Sequence, residues 1–139
     1  MIICEIKHAN LLKILNLLFL LFLQKISRVV IMVKLFITGV SGQVGSEVLR
    51  LSEHKNYGIY FSNAPRSPHE NLLKVDIRDR DHVFNVVKKI DPDWIIHCAA
   101  ATKVDWCETN KDQATEINID GTKNLVDASK EVNSKFLFV

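Results

Sequence analysis

Residues 32–139 of this chain predict an α/β fold built on a doubly wound parallel sheet. Three observations carry that prediction. Short apolar runs alternate with amphipathic helical stretches from Met32 onward, the pattern that places helices on both faces of a parallel sheet. A turn with the spacing Gly39-x-x-Gly42-x-x-Gly45 joins the first apolar run to the first helical stretch. The run 94–98 is apolar at every position but His97, as expected of a central parallel strand covered on both faces.

The elements follow in order. Residues 33–38 form the first strand, and the helix after it covers 42–54, with Val44, Val48 and Leu51 as its apolar stripe. A short second strand, 58–61, ends in the turn-forming Ser62-Asn63-Ala64-Pro65. Residues 72–75 form the third strand. Asp79 and Asp81 open a helix that runs through Lys89, with acids first and Lys88-Lys89 last, the order that complements its dipole. Asp91-Pro92 breaks it. The fourth strand is 94–98, the stretch 110–132 is mostly helical, and a fifth strand occupies 136–139. Alternation with short connections implies right-handed crossovers. The sheet is expected to be truncated after this fifth strand, with an exposed apolar edge there.

The first thirty-one residues read differently. Residues 11–23 are almost continuously apolar, interrupted by Lys13 and Asn16, and fall short of the ~20 apolar residues of a membrane-spanning helix. An apolar helical N-terminal extension is expected there. It is a membrane segment if 11–23 insert, a helix packed on the body, or translated upstream sequence. Met32, one residue before the first strand, favours the last.

Composition narrows the function. A formal net charge of +2 with 24% charged residues gives no acidic tail, and no Lys/Arg cluster interleaved with aromatics points to nucleic acid. Cys4, Cys98 and Cys107 are odd in number and unpaired in spacing, so neither a disulfide framework nor a zinc site is indicated, and a reducing cytoplasmic setting fits.

The glycine turn carries the chemistry. A strand, a tight turn and a helix N-terminus together make an anion site, because the first-turn N–H groups lack intrahelical acceptors and the dipole favours negative charge. Gly39 permits the turn, Gly42 admits a pyrophosphate against the backbone, and Gly45 lets the helix pack on the sheet. The place about 20 residues on, where NAD-preferring sites carry an acid, holds Phe61-Ser62-Asn63. Arg66 stands nearby as a partner for a 2′-phosphate or as a solvated charge. The cofactor expected is NADP or NAD, with a tilt to NADP. His97, inside an apolar strand, reads as a core histidine, and Asp105 and Glu108 as a solvated edge or an N-cap region.

Thr38-Gly39-x-x-Gly42-x-x-Gly45, Val75-Asp76-Ile77-Arg78-Asp79, the stretch from Asp91 through His97 and Ala99-Ala100-Ala101 to Glu108, and Ile117-Asn118-x-x-Gly121-Thr122-x-Asn124-Leu125 together resemble the extended short-chain dehydrogenases/reductases. Within them they resemble the dTDP-4-dehydrorhamnose reductase family and its relative, the regulatory subunit of methionine adenosyltransferase. The resemblance implies a Rossmann-like NAD(P)-binding domain over 32–139. It implies a cofactor site of Gly39, Ser41, Gly42, Gln43, Val44, Gly45, Asp76, Ile77, Ala99, Ala100, Ala101 and Thr102. Gly42, Gln43 and Val44 would cradle the pyrophosphate. Asp76 would hydrogen-bond the adenine with Ile77 against its ring, and the alanines would line the passage of the nicotinamide ribose. The family's reaction moves hydride from NAD(P)H to the 4-keto group of a dTDP-sugar, with a tyrosine and a lysine four residues later handling the proton. Tyr57 and Tyr60 are the only tyrosines, and Phe61 and Ala64 stand four residues after them. The resemblance therefore implies the cofactor-binding part of such a reductase, inactive alone and able to meet a dTDP-sugar only when the missing C-terminal part is supplied. The nonenzymatic regulatory subunit is the alternative, and a homodimer is an assembly either would allow.

Overall fold

In the computed structural model, five parallel strands hydrogen-bond in the order β3-β2-β1-β4-β5. They are β1 (Lys34–Thr38), β2 (Lys55–Tyr60), β3 (Leu72–Lys74), β4 (Trp94–His97) and β5 (Lys135–Phe138). The helices are α1 (Gln43–Leu51), α2 (Arg80–Ile90), α3 (Val104–Thr109), α4 (Lys111–Thr115) and α5 (Gly121–Glu131), and a π-helical turn, Glu116–Asp120, joins the last two. The structure describes residues 32–61, 63, 65 and 69–139. The expected N-terminal extension, Arg66, and Ser62 and Ala64 of the turn lie outside the described residues.

Alternation along β1 feeds two cores. Phe36 points to one face with Ile59, Ile95, Val83, Val87 and Leu125, under α2 and α5. Leu35 and Ile37 point to the other with Val40 and Leu49, under α1. Burying β1 on both faces makes it the sheet's centre, paired with β2 on one side and β4 on the other. The chain leaves β1 toward β2 and β3, then crosses back to β4 and β5. The crevice beyond the carboxyl ends of β1 and β4 is therefore the switch point at which ligands bind in open α/β sheets.

Several boundaries differ from expectation for identifiable reasons. β2 starts at Lys55 rather than at 58. Asn56 reads as loop, yet it is buried, and its amide donates to the carbonyls of Ser52 (3.2 Å) and Leu49 (3.5 Å) at the end of α1. Its polarity serves a helix terminus, so no apolar alternation shows in the sequence. α1 is shorter than expected and turned relative to the expected stripe. Its buried positions are Gly45 and Leu49, while Val44 and Leu51 are exposed. Gly45 must face the sheet, because a Cβ there would lie 2.5 Å from the Gly39 carbonyl oxygen, and Leu49, one turn on, follows it inward. α3 is an element the sequence reading did not separate, and Asp105 and Glu108 are exposed on it.

α2 begins as expected. Asp79 is its N-cap and accepts from the His82 N–H at 3.0 Å. Asp91, in the left-handed conformation at φ 50°, ends it. Among the described residues β5 pairs with β4 alone, and Leu137 and Phe138 on it and Val139 just past it are exposed, an apolar edge as expected. Among the described residues no helix is long and apolar enough to cross a membrane.

Candidate functional site

A cleft of about 280 Å³ opens at the switch point. One wall is the glycine turn. Gly39 has φ 72°, and a Cβ on it would stand 2.7 Å from the Ala99 nitrogen and from the carbonyl of Cys98. No other residue satisfies both the conformation and the space. The Gly42 N–H donates to the Gly39 carbonyl at 2.9 Å. Gly42 is the N-cap of α1, no side chain caps the helix and no acid lies in its first turn. The first-turn N–H groups of Gln43 and Val44 thus face outward beside the cleft without intrahelical acceptors. The Ser41 hydroxyl donates to the carbonyl of Asn63, tying the turn to the loop after β2.

The opposite wall is the loop leaving β4. A relay of side chains far apart in sequence sets it. The Thr122 hydroxyl donates to the Asn118 carbonyl at 2.7 Å, so its lone pair faces His97 Nε2 at 2.9 Å. That assigns the His97 proton to Nε2. Nδ1 then accepts from the Thr38 hydroxyl at 2.7 Å, whose own lone pairs accept from the N–H groups of Cys98 (3.2 Å) and Ala99 (3.3 Å). Every member is satisfied only with a neutral imidazole. His97 is 1% exposed, and burial pushes its pKa down to about 4. The histidine expected in the core is there, and it connects β1, β4 and the start of α5.

Asn118 holds the next residue of this wall. Its side chain accepts from the Ala101 N–H at 2.8 Å and donates to the Ala101 carbonyl at 3.1 Å. It can do so because the π-helical turn bulges Ile117 and Asn118 out of helical register. The sequence quoted Asn118 as part of a motif, but helical periodicity gives no sign of a bulge.

The third side is the loop after β3. Asp76 takes a two-pronged ion pair from Arg78, with Nε to Oδ1 at 3.0 Å and Nη2 to Oδ2 at 2.7 Å. The Arg78 hydrogen bonds hold the Asp76 carboxyl below the usual carboxylate range, against the opposing effect of burial. Asn124 donates from α5 to the carbonyls of Ile77 (3.0 Å) and Arg78 (3.1 Å). Gly121 lets α5 come that close, since a Cβ there would lie 2.6 Å from Ile77.

Of the sequence-predicted residues, Gly39, Ser41, Gly42, Asp76, Ile77, Ala99, Ala100 and Ala101 line the cleft. Gln43 and Val44 lie on the first turn of α1 outside its lining, Gly45 is buried beneath the turn and Thr102 is exposed just past the lining. Sequence reasoning did not assign Thr38, Ile59, Tyr60, Phe61, Val75, Arg78, Cys98 and Ile117, which complete the lining. Most belong to strand ends, where periodicity marks a residue as core and not as rim. Burial pushes the Cys98 thiol up, so it remains a thiol at neutral pH. Among the described residues no cluster of His, Cys, Asp and Glu could hold a metal ion.

The sequence profile of the RmlD substrate binding domain matches residues 33–139, which build the sheet and all three sides of this cleft. The chain belongs to the RmlD substrate binding domain family. Its relatives in that family include dTDP-4-dehydrorhamnose reductase of Aggregatibacter actinomycetemcomitans, 30% identical over 78% of this chain and 34% of the relative. A solved dTDP-4-dehydrorhamnose reductase of Bacillus anthracis, in complex with NADP, is 33% identical with TM-score 0.62, over 75% of this chain and 34% of that one. The Bordetella bronchiseptica enzyme WbmH, in complex with NAD+, is 33% identical with TM-score 0.65, over 76% of this chain and 38% of that one. This RmlD-family chain spans between 18% and 34% of the length of the curated relatives it matches.

Proposed function

We propose that residues 32–139 bind a nicotinamide dinucleotide, as the cofactor-binding part of an oxidoreductase like dTDP-4-dehydrorhamnose reductase. One observation carries the reading. An uncapped helix N-terminus with no acid in its first turn borders a cleft walled by glycine on one side and alanine on the other. That is a surface for a pyrophosphate and a ribose pressed close to backbone. When bound, the cofactor would supply hydride. The chain's own residues do the rest. Gln43 and Val44 present N–H groups to the pyrophosphate, and Gly42, whose own N–H is held by the Gly39 carbonyl, lets it approach with no Cβ in the way. Asp76 presents a carboxylate acceptor to the adenine edge with Ile77 beneath, and Ala99 to Ala101 keep the passage narrow but open.

NADP is the cofactor favoured over NAD. β2 ends at Tyr60, and Phe61-Ser62-Asn63 after it hold no acid to accept from a ribose 2′-hydroxyl or repel a 2′-phosphate. Reduction of the 4-keto group of a dTDP-sugar is the reaction of the whole assembly. It needs a Tyr-x-x-x-Lys pair that residues 1–139 do not contain, so the chain alone binds cofactor without turnover. Isothermal titration of the purified chain with NADPH, followed by an assay with dTDP-4-dehydrorhamnose, tests both halves. Saturable binding with no oxidation of NADPH is expected. Turnover would overturn the second half and absence of binding the first.

A further inference from the structure

Arg78 has no role in the preceding account beyond holding Asp76, yet its surroundings leave part of it unused. Asp76 engages the Nε and Nη2 edge of the guanidinium, at 3.0 and 2.7 Å. Among the described residues the remaining nitrogen, Nη1, meets Glu116 at 3.6 Å, beyond hydrogen-bond length. The guanidinium lies over the Phe61 ring, 5.3 Å from its centroid, at the exit of β2. Phe61 is 51% exposed, a large apolar ring left on the cleft rim with the Arg78 guanidinium over it. Both side chains line the cleft.

We infer that Arg78 is the residue that selects the cofactor by its phosphate, offering its outer Nη1 edge to the 2′-phosphate of an NADP-type nucleotide. This rests on the nicotinamide-dinucleotide reading of the same cleft. Three features support the assignment. Residues 61–63, where an acid would read a 2′-hydroxyl, are Phe61-Ser62-Asn63. A guanidinium cannot lose its charge, and two of its edges can serve two anions at once. Asp76 and Phe61 hold it from one side and from below, so little side-chain entropy is lost when the phosphate arrives. Glu116 is the built-in competitor. It is exposed on the π-helical turn, carries the same sign of charge as the phosphate, and must yield the Nη1 edge when the phosphate binds.

The experiment is a set of titrations of the full chain with NADPH and with NADH, at one ionic strength. Arg78→Gln is expected to raise the NADPH dissociation constant relative to that for NADH by about tenfold or more, the loss of a charge-assisted hydrogen-bonding pair. Glu116→Gln, a substitution at an exposed position, is expected to tighten NADPH about threefold and leave NADH unmoved. Arg66→Gln is expected to change the ratio little. An unchanged NADPH-to-NADH ratio in Arg78→Gln and Glu116→Gln, with both nucleotides still binding the parent chain, overturns this inference alone. A ratio that moves with Arg66→Gln instead does the same. Failure of the parent chain to bind either nucleotide overturns the cofactor reading beneath it.

Discussion

The two walls of the cleft are only a few ångströms apart and are held in different ways. The wall after β1 is local. Gly39, Gly42 and Gly45 lie within seven consecutive residues, and backbone conformation with backbone hydrogen bonding shapes the turn. The wall after β4 is held from a distance. Thr38, 59 to 61 residues earlier, positions His97, Cys98 and Ala99. Asn118, 17 residues later, clamps Ala101. Where a turn can hold itself, glycine spacing suffices. Where an extended loop of small residues must stay in place, side chains from other elements do it, because alanine side chains offer no polar groups of their own.

The largest effect is expected where the two walls touch. Gly39→Ala places a Cβ 2.7 Å from backbone atoms of Cys98 and Ala99, and neither can move without dragging β4. Destabilisation of about 4 kcal/mol or more is expected, from the left-handed conformation and the clash together, read from the urea midpoint. A mild loss would mean that the walls are less tightly apposed than the structure has them.

The second effect concerns the distant wall. His97 titrates near 6.5 when unfolded and at about 4 when folded. Between those values the unfolded chain binds the extra proton, so stability rises with pH through that window and is complete above it. As pH falls from 6.5 to 4, about 3 kcal/mol is expected to be lost through this group. Urea titrations at several pH values check this, and in His97→Gln the slope over that window should flatten. An unaltered slope would show that carboxylates, and not the relay, control it.

The third sharpens the contrast between holding a fold and holding a site. Asn118→Ala removes two hydrogen bonds to Ala101 at an exposed side chain. About 1 kcal/mol of stability is expected to go, with NADPH binding weakened about threefold or more. The effect of Asp79→Ala is the smallest. It deletes the N-cap of α2 at a cost of about 1 kcal/mol and is expected to leave nucleotide affinity unchanged. Parallel melting and titration of the two variants decide whether the clamp serves the cleft or only the fold.

Much of the fold was legible because its signals are local. The apolar runs at 33–38 and 94–98, the acids and lysines bracketing α2, and Asp91-Pro92 each report on a few neighbouring residues. The rim was less legible. Asn56 looks like a loop residue until Leu49 and Ser52 stand beside it. Val44 and Leu51 look like a buried stripe until Gly45 has to meet Gly39. Arg78 looks like one more surface charge until Phe61 lies under it and Asp76 along its edge.

By itself the amino-acid sequence determined the parallel α/β plan, the place of the glycine turn and the residues lining its side of the cleft. These depend on spacing, periodicity and the backbone freedom of glycine, all properties of neighbouring residues. Only the tertiary structure decided the tautomer and charge of His97, the clamp on Ala101 and the posture of Arg78. Each is the outcome of competition among donors, acceptors and charges brought together from strands and helices distant in sequence, and no local rule ranks those partners before the chain has folded.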